Sequence, residues 1–204
     1  MNFVNYKKSR DAAWQLLVKN KISSLPVDLR KICRSEHIRL FSYAQGTKLI
    51  QKLGLEDHTV ENDAFSIGRV ILYDDRKPIA RQRFSVAHEI GHILLHSSNC
   101  ATVYNREPSP NDDPIEAEAN VFASRLLAPL CVLHYLNIQT AEEIAETCGI
   151  SITAAKIRLE RLQEIRERDK ERRSKTARGC FLLSPLEREA FRLFADYVQK
   201  NCKG

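Results

Sequence analysis

Residues 81–97, RQRFSVAHEIGHILLHS, constrain this chain more than any other stretch. From Phe84 to Leu95 nearly every side chain is apolar or small, which suits a helix buried on most of its surface. Ser85, His88, Glu89, His92 and His96 are the exceptions, and the helical repeat gathers them into one narrow polar stripe. A glutamate and two imidazoles in an apolar helix cost several kcal/mol unless partners are found for them. His88 and His92 are four residues apart, so both rings leave one face and can grip a single ion, with Glu89 about 100° round the helix. This is H-E-x-x-H, a pattern in which the histidines bind zinc and the glutamate serves as general base. A divalent cation is the partner that the stripe asks for.

A catalytic zinc takes three protein ligands and keeps one position open. The missing ligand is expected where DPIEAEANVFASRLLAP opens a second helix, with Asp113 as cap and Pro114 in the first turn. Glu116 and Glu118 are both candidates, and because they point to different sides of a helix only one can ligate. Glu116 also reads as the closing residue of a capping box, three positions after the cap. His96 continues the four-residue spacing, but it lies about 12 Å of helix rise from His88, too far to share an ion with it. It is expected at the helix C-terminus, where the dipole favours imidazolium.

The remaining chain supplies a mainly helical frame with a small sheet. Residues 7–22 predict an amphipathic helix with Ala13, Trp14, Leu16 and Leu17 inward. A second helix follows Leu25 and Pro26, with Pro26 near its first turn. Ile38 to Tyr43 predicts a short strand, and Ala64–Ile67 with Arg69–Tyr73 a hairpin about Gly68. Residues 97–114, with three prolines, predict an exposed loop. Thr140 and Glu143 form a capping box for a short helix, Gly149 makes a turn and Ser151 caps the next helix, the outline of a helix-turn-helix. Residues 160–178 predict a charged helix running into a linker. Ser184 and Glu187 cap a last helix whose apolar stripe (Leu186, Ala190, Phe194, then Tyr197 or Val198) must pack on the peptidase body or on a second copy of the chain. The expected class is α+β, with a metal-binding domain over 1–136 and a helical, helix-turn-helix-like region over 137–204.

Composition narrows the surroundings. At 204 residues, 43% hydrophobic and 28% charged, the chain has the make-up of a globular protein. No membrane span is expected, because Arg125 interrupts the most apolar run, Val121 to Leu136. The first residues lack the apolar core of a signal peptide, and six cysteines occur without a C-x-x-C pair. Free thiols and a cytoplasmic location follow as expectations. The net charge of +6 allows an acidic partner or nucleic acid, but solvated lysines and arginines account for it equally well.

RQRFSVAHEIGHILLH followed by IEAEANVFASRLLAP resembles the ImmA/IrrE family of metallo-endopeptidases, of the gluzincin type, and a weaker likeness runs from the Arg69–Tyr73 strand to Pro129. The resemblance implies zinc on His88, His92 and Glu116, with Glu89 as catalytic base. Glu116 is preferred to Glu118 because Glu116-x-x-x-Asn120 is similar to the gluzincin Glu-x-x-x-Asp pattern. Asn120 departs from that Asp; its oxygen can still accept a hydrogen bond from a ligating imidazole, but adds no charge. Family members cleave helix-turn-helix repressors encoded nearby and so relieve repression of stress or mobile-element genes, and the resemblance implies such a substrate here. On this reading Tyr73, Tyr104 and Arg125 are candidate oxyanion donors, and the Arg69–Tyr73 strand takes the peptide by strand addition. The alternative is a DNA-binding transcriptional regulator whose H-E-x-x-H domain senses metal or is inactive, with the C-terminal helices contacting DNA.

Overall fold

A computed structural model describes residues 5–96, 113–175 and 184–202. They form two compact units, one within Met1–Ala13 and Asp28–Ala123, the other within Trp14–Val27 and Ser124–Gly204. The architecture is α+β and mainly helical, with one three-stranded sheet.

The first unit is built on strands β1 (Arg39–Ser42), β2 (Ala64–Ile67) and β3 (Val70–Tyr73), in the order β1-β3-β2. β1 runs parallel to β3, and β2 pairs antiparallel with it across the hairpin. Gly68 adopts a φ of 55° at the first of the two turn residues, where short hairpins favour glycine. All four residues of β3 are buried, because both faces of the strand are covered. Val70 and Leu72 join Tyr43, Ile50, Leu55 and Phe65 in one apolar cluster, while helix α5 (Ile79–Leu95) packs on β2 and β3.

The hairpin is where the sequence reading needs correction. β3 is the central strand, paired on both sides, so it cannot add a peptide strand. The edges belong to β1 and β2, and the outer side of β2 carries no further strand among the described residues. The Asp74 amide donates to the Asp63 carbonyl at 2.8 Å. In an antiparallel ladder the pairing alternates, so Phe65 and Ile67 exchange bonds with β3 while the main-chain groups of Ala64 and Ser66 point outward.

Two further helices in this unit were not anticipated: α3 (Tyr43–Leu53) and α4 (Glu56–Glu61). Helix α3 opens with a full capping box between Ser42 and Gln45 and closes at Gly54 with φ 64°. Helix α2 (Leu29–Ser35) starts later than expected, because the Asp28 carboxylate accepts from the Lys31 amide and acts as cap, which leaves Pro26 outside the helix.

The first helix, α1 (Tyr6–Lys19), carries Ala13, Trp14, Leu16 and Leu17, all buried as expected. In the second unit, α7 (Leu130–Tyr135) precedes the helical hairpin of α8 (Ala141–Cys148) and α9 (Ile152–Lys175). Thr140 and Glu143 form the expected box, Gly149 turns the chain at φ 64°, and the Ser151 hydroxyl accepts from the Ala154 amide. Arg158 of α9 is buried and donates through Nε to the Ala128 carbonyl at 3.1 Å; burial, then the nearby Arg125, pushes its pKa down to about 9. The expected last helix divides at Phe194 into α10 (Pro185–Leu193) and α11 (Ala195–Asn201). α10 packs on α7, with the Phe191 and Tyr135 rings 4.5 Å apart.

No described helix is long and apolar enough to cross a membrane. Cys33, Cys131, Cys148 and Cys202 are thiols, and burial pushes Cys33 up to about 11; Cys100 and Cys180 lie outside the described residues.

Gly46 fixes how closely α3 lies on the sheet, since a Cβ there would stand 2.2 Å from Leu72 Cδ2. Leu72 is fully buried and has little room to yield. Gly46→Ala should lower unfolding stability by about 1–3 kcal/mol in a urea titration.

Candidate metal centre

Helix α5 starts after Pro78 and buries an unbroken run from Val86 to Ile93. Within that run His88, Glu89 and His92 are at most 5% exposed, so the polar stripe expected from the sequence lies in the core of the first unit. Helix α6 (Pro114–Leu127) meets it. The Asp113 carboxylate accepts from the Ile115 amide at 2.9 Å, which starts α6 at Pro114 and places Glu116 in the first turn.

Three side chains converge there. His88 Nε2 and His92 Nε2 are 2.8 Å apart, Glu116 Oε2 is 3.1 Å from His88 Nε2, and Glu116 Oε1 is 3.2 Å from His92 Nε2. His88 Nδ1 lies 2.9 Å from Asn120 Oδ1. A carbonyl oxygen only accepts, so Nδ1 carries a proton and donates it to Asn120, which aims Nε2 at Glu116. Lone pairs of imidazole and carboxylate held this close need a proton or a cation between them. The donor set, two imidazoles and a carboxylate, fits a divalent cation, and His88, His92 and Glu116 are the residues that can hold one.

The approach of α6 depends on Gly91, which lies on α5 between the two histidines. A Cβ at this position would be 3.0 Å from Phe122 Cδ1 and 3.4 Å from the Ala119 Cα. A side chain here would make Phe122 give way by a few tenths of an ångström, so the glycine favours the close approach of the Glu116 helix, and neither the motif nor the periodicity signals this in the sequence.

Glu118 serves elsewhere. Its Oε1 accepts from the Asn5 amide at 2.7 Å and its Oε2 lies 3.7 Å from His96 Nε2. Lys8 Nζ donates to the Leu95 carbonyl at 3.0 Å, which ties the start of the chain to the end of α5. His96 caps α5 as expected, but its protonation is opposite to the dipole argument: burial, then His92, pushes it below the usual histidine range, with Glu118 opposing.

Glu89 points to the sheet side of α5. Its Oε2 accepts a hydrogen bond from Ser66 Oγ on β2 at 2.8 Å. In the sequence, Ser66 is marked only as a single hydroxyl in the apolar strand AFSI. Of the candidate oxyanion donors, the Tyr73 hydroxyl is 3.5 Å from Arg30 Nη2, Arg125 belongs to the second unit, and Tyr104 lies outside the described residues.

A peptidase family model described as IrrE N-terminal-like domain matches residues 38–160. No curated protein matches the chain.

The two acidic residues of α6 should separate cleanly in a metal titration. Glu116→Ala is expected to weaken divalent-metal affinity by at least about 100-fold. Glu118→Ala should leave affinity near wild type and lower the melting temperature, because the Asn5 amide loses its acceptor.

Proposed function

Because the chain belongs to the IrrE N-terminal-like peptidase family, we propose that it is a zinc-dependent endopeptidase. The observation that carries this reading is the position of the buried Glu89 carboxylate on the helix that brings His88 and His92 to Glu116. Two imidazoles and one carboxylate are a donor set that suits zinc. Zinc bound there supplies Lewis acidity, lowering the pKa of water from 15.7 toward about 7 and polarising a carbonyl. Glu89 accepts the proton of the attacking water and later hands it to the leaving amine. Asn120 keeps the His88 proton on Nδ1 and so orients the ring.

The substrate enters as an extended strand along the outer edge of β2, where the partly exposed Ser66 turns its main-chain groups away from β3. Main-chain recognition selects an exposed, flexible segment more than a particular sequence. A linker between the DNA-binding and oligomerising parts of a helix-turn-helix repressor meets that requirement, and we propose such a repressor as the target, its cleavage relieving repression.

The rival reading, a DNA-binding regulator with a sensing or inactive metal domain, draws on the α8–Gly149–α9 hairpin. From Ser151 to Glu160 the exposed positions are Ser151, Ile152, Thr153, Lys156, Ile157 and Glu160, in which Lys156 and Glu160 cancel. Phosphate binding needs several cations, so this face favours the peptidase reading.

Glu89→Gln should retain stoichiometric zinc by elemental analysis and lose about 10²- to 10⁴-fold in peptide cleavage. Wild-type turnover in this variant would remove Glu89 from the mechanism.

Zinc-loaded protein incubated with the repressor encoded beside it should give two discrete fragments by mass spectrometry, and a chelator should stop the reaction. An intact repressor, with unrelated unfolded proteins digested freely, would rule out the repressor as substrate.

A further inference from the structure

We propose that Ser66 is a positioning residue that holds Glu89 as a base and keeps its carboxylate from becoming a fourth protein ligand to the metal. The word base rests on the peptidase reading above; the exclusion from the metal does not. Glu89 follows the ligand candidate His88 directly, is 3% exposed, and has a long side chain that ends in a metal-binding group. A carboxylate beside a divalent cation is drawn toward it, and on reaching it would occupy the position that catalysis requires open. The Ser66 hydroxyl opposes that movement from outside the helix. It comes from β2 and donates to Glu89 Oε2 at 2.8 Å. Ser66 also turns its main-chain groups to the free edge of β2. One residue therefore serves both the substrate edge and the base, so a peptide pairing with that edge stiffens the anchor of Glu89.

The test replaces zinc with Co²⁺, whose visible bands report the number of ligands, in the full-length protein and its variants. Ser66→Ala should change the band intensities and tighten cobalt binding ~10-fold, as a released Glu89 joins the ion. The Ser66→Ala, Glu89→Gln double variant should return to the wild-type spectrum, and Ser66→Thr, which keeps a hydroxyl, should never leave it. In the zinc form, Ser66→Ala should lose ~10- to 100-fold in kcat with KM nearly unchanged, and Ser66→Thr should recover most of it. An unaltered cobalt spectrum in Ser66→Ala, or a changed one that the double variant fails to restore, overturns the proposal. Should the bands behave as expected while the wild-type protein cleaves no peptide, the peptidase reading falls and the role of Ser66 stands.

Discussion

The convergence of two imidazoles and a carboxylate is the constraint around which the first unit is arranged. Two buried imidazole nitrogens and a partly exposed carboxylate lie 2.8 to 3.2 Å from one another. Folding holds them within reach of one another, and a divalent cation is a partner that all three can share.

Around that centre, three acidic side chains of similar chemistry have separate partners. Glu116 faces the histidines, Glu89 takes the hydroxyl of Ser66, and Glu118 takes the amide of Asn5. What separates them is the element each one meets: the facing helix, the sheet or the start of the chain. Gly91 favours the first of these encounters by omitting a side chain that would press on Phe122 of α6. The sheet provides the second, since α5 lies against β2 and β3.

Much of this was legible where a residue's role depends on its own helix or strand. The spacing of His88 and His92, the boxes at Thr140 and Ser184, and the hairpin about Gly68 are local patterns, and they appear in the structure. Contacts between elements were harder to read. Spacing alone left Glu116 and Glu118 open, because the choice depends on how near α6 approaches α5. Alternation along Arg69–Tyr73 assigns faces but not neighbours, so the central place of β3 was missed even though its unbroken VILY run suggests burial on both sides. Helix α3 was overlooked because Gly46 interrupts its apolar pattern, and the reason for that glycine, the methyl of Leu72, belongs to another element. His96 shows the same limit: its position at the helix end was readable, whereas the burial that governs its proton was not.

A Cβ added at Gly68 would meet nothing within 4 Å. Its importance is one of phase. The two-residue turn sets Ile67 opposite Val70 and, one step along, Ser66 opposite Ile71. A slip of a single residue in that pairing would rotate every side chain of β2 to the other face of the sheet. The Ser66 hydroxyl would then be aimed away from α5. The aim of a buried carboxylate on a helix is in this way indexed by the handedness of a surface turn twenty-one residues earlier in the chain.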